Sequence, residues 1–157
     1  AAPPPPPRPD RLVRAVNLNG PALVVDGVPW ESGEGAENCL VVGRPYAKLG
    51  GPREPPAPDT RGWMLRTGYA NPGTMRILLG GLPGGPLKVT LHVWTEGPET
   101  KYGVSVGGKE AFADRSTGAP GRWEKLGPFD AEAKDGALVI NVTGGPVGVS
   151  GVEVWKE

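Results

Sequence analysis

Few residues in this 157-residue chain have the types that chemistry needs. A nucleophilic dyad or triad requires a serine or cysteine, a base and an orienting acid. The sequence holds one cysteine, Cys39, and one histidine, His92, on separate apolar runs, CLVVG and LKVTLHVW. Beside Leu40, Val41 and Val42 a buried thiol behaves as a small hydrophobe, and a lone cysteine forms no internal disulfide. His92 alternates with Thr90 and Trp94 on the polar side of its run and reads as an exposed strand histidine. The two together are too few ligands for a structural zinc site. Glu31, Glu34, Glu96, Glu99, Asp114 and Glu124 are available for the carboxylate pair that hydrolyses glycosidic bonds, but nothing in the sequence points to any two of them converging. No catalytic residue is therefore assigned and no enzyme activity is expected. No cofactor is expected either; a structural calcium held by loop carboxylates and carbonyls stays open, although no EF-hand spacing is present. GGLPGG (80–85) follows a strand pattern and would cradle phosphate if a helix came next. A strand pattern comes next, so these glycines read as a hairpin turn.

The rings are more informative. Five Trp and three Tyr stand against two Phe, a bias toward flat rings with a polar tip. Such rings stack on the C–H faces of sugars while neighbouring Asn, Arg and carboxylates hold hydroxyls. Trp30, Tyr46, Trp63, Tyr69, Trp94 and Tyr102 all fall near the ends of strand patterns or in loops, where core packing is the alternative role for each. Trp94 lies opposite Leu87, Val89, Leu91 and Val93 in the alternation of its strand, on a face expected to point outward. Trp155 and Glu153 are expected outward in VEVWK, with Val152 and Val154 inward. Asn141-Val142-Thr143 matches a glycosylation sequon, yet its alternation with Leu138 and Ile140 reads as a polar strand face.

The elements that would position these side chains are strands. From Arg11 onward the longest run free of Gly and Pro spans only 87–96, so there is barely room for one average helix. Strand patterns occur at 12–19, 22–27, 39–43, 63–67, 75–79, 87–94, 101–106, 122–127, 137–143 and 147–155. About nine strands with frequent turn signals imply an all-β fold, a two-sheet antiparallel β-sandwich of jelly-roll type. Residues 44–62 are too rich in Pro and charge for a strand and are expected to form a long surface loop. The segment 130–135 is read as a connection.

Chain-wide properties bound the class of partner. The 26 Gly and 20 Pro would suggest disorder in a polar chain, but 38% of residues are hydrophobic and recur in short runs. Lys plus Arg and Asp plus Glu both total 17, so no net field draws a polyanion, and nucleic acid is not an expected partner. No run reaches the length of apolar residues that crosses a bilayer, so membrane insertion is not expected. Residues 1–10, AAPPPPPRPD, favour an extended polyproline helix and read as a linker to a neighbouring domain of the same parent protein. With no charged-then-apolar opening segment, an export signal is taken as already removed. The expected location is secreted, periplasmic or cell-surface.

The order of segments resembles the malectin and malectin-like carbohydrate-binding domains across most of 11–157. RAVNLNG (14–20) resembles the family's opening strand and glycine turn, and VTLHVWTE (89–96) its central strand. YGVSVGGKE (102–110) is similar to the next strand with its glycine hairpin, and VSGVEVW (149–155) to the closing strand. The resemblance implies a jelly-roll sandwich that binds glucose-containing oligosaccharides through aromatics and a carboxylate on loops at one end. LRTGY (65–69) resembles the segment supplying a sugar-contacting tyrosine, which implies that role for Tyr69. The chain departs from the pattern at Gly97, Pro98 and Glu99, where the animal lectin has an aromatic pair, and at Gly144 and Gly145, where it has an acidic residue.

The combined reading is a noncatalytic carbohydrate-binding module of a larger protein, taking an oligosaccharide or polysaccharide. Its site is expected at Trp94, Tyr69, Trp63, Glu96, Arg66 and Tyr102, with Trp94 and Tyr69 stacking and Glu96 and Arg66 holding hydroxyls. The competing class is a structural or protein-interaction sandwich whose outward Trp residues anchor a partner.

Overall fold

The computed structural model describes residues 11–20, 22–25, 28–33, 37–47, 67–70, 74–95, 99–119, 122–144 and 147–156. Alternation governs what these residues do. Leu87, Val89, Leu91 and Val93 are at most 3% exposed on one face of β8 (Pro86–Trp94). Val152 and Val154 are inward on β13 (Gly148–Lys156), and Val16 on β1 (Leu12–Asn17). From the facing sheet come Met75, Ile77 and Leu79 of β7 (Thr74–Leu79), Val104 and Val106 of β9 (Lys101–Val106), and Leu138, Ile140 and Val142 of β12 (Leu138–Gly144). Together they form one apolar cluster between the sheets. Fully burying such a side chain contributes about 1.5–3 kcal/mol, so this cluster is the main source of stability.

The remaining strands are β2 (Leu23–Val25), β3 (Val28–Ser32), β4 (Cys39–Val42), β5 (Arg44–Ala47), β6 (Thr67–Ala70), β10 (Lys109–Ser116) and β11 (Trp123–Glu132). The larger sheet runs β11-β8-β13-β1-β3-β2, with β6 joining β13 and β5 joining β6. The smaller sheet runs β10-β9-β12-β7-β4. The molecule is an all-β two-sheet sandwich whose pairs are antiparallel except for β1 with β3, which is parallel.

Several strands differ from the sequence reading. β3 and β10 were not expected, β5 falls inside the expected 44–62 loop, and Asp130–Glu132 extends β11 instead of forming a connection. β5 tolerates its Pro45 by pairing only with β6, at the margin of the sheet. The 80–85 segment is not a hairpin turn, because β7 belongs to the smaller sheet and β8 to the larger; it carries the chain across the sandwich. Gly107 and Gly108 do form a hairpin, between β9 and β10, at φ +59° and +85°, where a side chain would be strained. Residues 1–10 and 48–66 lie outside the described residues.

The outer face of the larger sheet is a second core, which overturns the expectation that it is open. Trp94 lies opposite Leu91 and Val93 as alternation requires, yet is only 4% exposed, in a cluster with Ala15, Val28 and Trp30. Leu12, Trp123 and Trp155 pack against this cluster. His92 is 1% exposed rather than an exposed strand histidine, and Glu153 is likewise buried. His92 Nε2 lies 2.7 Å from Glu153 Oε2, and the Trp30 ring meets the imidazole edge-on at 5.0 Å. The cause is β3: its Trp30 lies over a polar strip that alternation alone leaves to solvent.

Candidate functional site

One end of the sandwich gathers most of the side chains that could meet a ligand. Here β6, β8, β10 and β12 finish and β9, β11 and β13 begin, and their registers align them. Tyr69 on β6 opposes Val149, Val149 opposes Val93, and Val93 opposes Glu124 on β11. Since directly opposed residues share a face, Tyr69 and Glu124 stand on the inner side of the larger sheet at its rim. Across from them, Tyr102 of β9 pairs with Arg115 of β10 in the smaller sheet.

Glu124 is the hub. Its Oε2 accepts from Arg115 Nη2 at 2.5 Å and its Oε1 is 3.0 Å from Arg122 Nη2. The carboxylate side chain is 15% exposed while the two guanidinium side chains are 44% and 47% exposed, so the cluster presents N–H donors outward. The bond to Glu124 raises the Arg115 pKa, keeping that guanidinium charged. Burial, then the Glu124 charge, pushes the Tyr102 phenol up to about 12 against the opposing pull of Arg115. A few residues away Ser116 Oγ donates to Glu99 Oε2 at 2.7 Å and accepts from Gly118 N, and Thr117 N donates to Thr100 O. Thr95 N donates to Arg122 O, tying the end of β8 to the start of β11. The result is a rim of donors and acceptors in fixed positions, suited to hydroxyl groups.

Of the expected site residues, the structure brings Tyr69 and Tyr102 to this end. Tyr69 is half-buried and packs against the core between the sheets. Tyr102 is 2% exposed and packs edge-on against Phe112 at 5.3 Å, so it offers no free ring face and instead supports Arg115. Trp94 reaches the same end but on the covered outer side, where its ring face is not available for stacking. Glu96, Arg66 and Trp63 lie outside the described residues; Glu96 follows the end of β8 and Arg66 precedes β6 in sequence. Glu124, Arg115 and Arg122 were missed as a site; they meet because the chain crosses from the end of β10 in the smaller sheet to the start of β11 in the larger one.

Other chemistry is thin. Among the described residues no group of three or more His, Cys, Asp or Glu side chains gathers. Cys39 is half-buried against the core, and burial pushes its thiol pKa up despite the nearby Arg14. Between the edges of β10 and β11 runs a 610 Å³ cleft lined by Leu87, Val106, Lys109, Asp130 and Lys134 among others. Lys88 hydrogen-bonds Asp130 there and holds its carboxyl below the usual range. Among the described residues no helix is long and apolar enough to cross a membrane.

No family model and no curated protein matches the chain. Solved structures do. A domain of Bacteroides uniformis beta-glucuronidase 2 superposes with a TM-score of 0.70 at 13% identity, covering 92% of this chain and 18% of that one. The ANX2 ectodomain of Arabidopsis thaliana superposes at 0.68 and 10% identity, covering 92% and 49%. The plant receptor-like kinase FER gives 0.61 and 15%, covering 92% and 42%. This chain thus spans half or less of each of these. At such identities the likeness is one of fold, and the receptor ectodomains among the neighbours support a malectin-like fold.

Proposed function

We propose that this chain is a noncatalytic carbohydrate-binding domain over 11–157, tethered through 1–10 to a larger secreted or cell-surface protein. The observation that carries this reading is the Arg115–Glu124–Arg122 cluster at the rim, in the same register row as Tyr69 with β13 and β8 between them. Charge-assisted bonds hold its donors in place, so little ordering cost falls on binding. In this reading Tyr69 supplies the stacking ring, and Arg115 and Arg122 donate to sugar hydroxyls. Glu96, which follows the rim end of β8 in sequence, is the acceptor proposed to complete the site. Tyr102 and Trp94 support it from within. The beta-glucuronidase neighbour is compatible with an accessory domain attached to a carbohydrate-active enzyme, and the receptor neighbours with a cell-surface one.

A glycan array probed with the whole chain, with and without calcium, tests this. Binding to a limited set of oligosaccharides, with the bound glycan recovered intact, is the expected result. Cleavage of the glycan would overturn the noncatalytic assignment. Silence across the array would shift the function to a protein-interaction sandwich.

A further inference from the structure

The outer face of the smaller sheet is organised in rows. The registers align Val42, Arg76, Asn141, Ser105 and Glu110 across β4, β7, β12, β9 and β10. Along this row Arg76 Nε donates to Asn141 Oδ1 at 3.2 Å, and Asn141 Nδ2 donates to Ser105 Oγ at 3.4 Å. On one side lies an apolar row, Leu40, Leu78 and Val139, in which Leu40 is 60% exposed. On the other lie Thr74, Thr143 and Gly103. There the surface is concave: a 190 Å³ groove takes in Gly103, Ser105, Glu110, Asp114, Asn141 and Thr143. That volume equals about six waters at about 30 Å³ each, the scale of one sugar ring. The register shifts in β10 on both sides of Phe112 mark a bend in that strand. Its Phe112 carbonyl would sit 3.1 Å from a Cβ at position 103, so glycine there keeps the floor of the groove open.

We propose that this face is a second carbohydrate surface, which takes an extended, neutral, β-linked pyranoside chain laid across the strands. Three features select that occupant. Strands repeat every 4.7–4.9 Å, giving a row about 19 Å long whose spacing is close to one unit of an extended pyranoside chain. The row and the groove carry hydroxyl, amide and carboxylate groups for sugar hydroxyls, while the adjoining Leu40–Leu78–Val139 row faces an apolar ring surface. Charge is balanced, with Arg76 and Lys101 offset by Glu110 and Asp114, so the face has no bias toward a polyanion. Internal bonds leave capacity for ligand: Ser105 Oγ–H and the second Nδ2 hydrogen of Asn141 are donors still to be used, and Glu110 accepts. The inference rests on the same ligand class as the reading above but on none of its residues.

The test is calorimetry with cello- and xylo-oligosaccharides of one to six units, on the wild-type chain, on Ser105→Ala/Asn141→Ala and on Tyr69→Ala. Amide-resonance mapping of the bound wild-type chain accompanies it. Affinity should climb with length to about four units, one per polar side chain of the row. The double variant should lose about tenfold or more for the longer chains, from about one lost hydrogen bond's worth per site. Shifted resonances should include Asn141 and Ser105, and Tyr69→Ala should keep the length dependence. Binding that is flat with length, or unchanged in the double variant, overturns the proposal while leaving the rim site standing. Loss in Tyr69→Ala alone has the same meaning. No binding of either series overturns the sheet-face site, whatever the array finds for the rim.

Discussion

Two buried polar groups make the clearest statements at the scale of single residues. Tyr102 keeps its proton because burial and Glu124 both oppose a phenolate, which raises its pKa from 10.0 to about 12. The raised value belongs to the folded state alone. Unfolding therefore releases a proton from Tyr102 between pH 10 and about 12, and the associated stability is intact below 10 and lost across that interval. In ultraviolet pH titration one tyrosine should ionise late, and Tyr102→Phe should remove that late phase together with part of the alkaline loss of stability. The His92–Glu153 bond is buried on both sides. Glu153→Ala leaves a buried imidazole short of a partner and should cost about 1–3 kcal/mol in urea unfolding, with Glu153→Gln closer to wild type. Only part of this was legible in the sequence. Alternation assigned His92, Trp94 and Glu153 correctly to the face opposite Leu91 and Val152. It could not reveal that Trp30, far away in sequence, would lie over them, because covering a face is a tertiary event.

Elements were legible where apolar residues alternate with polar ones, whether or not the polar side is covered in the fold. β7, β8, β12 and β13 carry apolar residues at every second position toward the core, and the sequence patterns found them within a residue or two. β10 escaped notice because most of its residues are exposed and its register shifts break the period of two. β3 and β5 carry Pro29 and Pro45, which argue against strands; β5 sits at the margin of the sheet, and Pro29 pairs only with β2 because β1 meets β3 further along, at Glu31 and Ser32. Turn residues at 80–85 announced a turn but not which sheet would receive the next strand. One side chain does much of the tying between elements. Arg14 on β1 forks onto Glu31 of β3 through two bonds of 3.1 Å and reaches the Asn38 and Gly80 carbonyls next to β4 and β7. It thereby links the larger sheet to the smaller. Arg14→Lys keeps the charge but loses the planar fork, and should destabilise by about 1–2 kcal/mol in thermal unfolding, Arg14→Ala by more.

For the whole molecule, a sandwich with two apolar layers leaves two surfaces with ligand-like chemistry: the rim around Glu124 and the outer face of the smaller sheet. Tyr69 came from the family resemblance and Tyr102 from the inventory of rings, whereas the Arg115–Glu124–Arg122 cluster joins the end of β10 to the start of β11, consecutive strands whose placement in different sheets composition and spacing do not reveal. The most direct measurement is a calorimetric titration of the best glycan from the array into wild-type chain, Tyr69→Ala and Arg122→Ala, each shown to be folded by circular dichroism. Saturable binding that weakens about tenfold or more in each variant is the predicted result, consistent with loss of a ring contact or a charge-assisted donor. Equal affinity in all three folded proteins would contradict a sugar site at this rim.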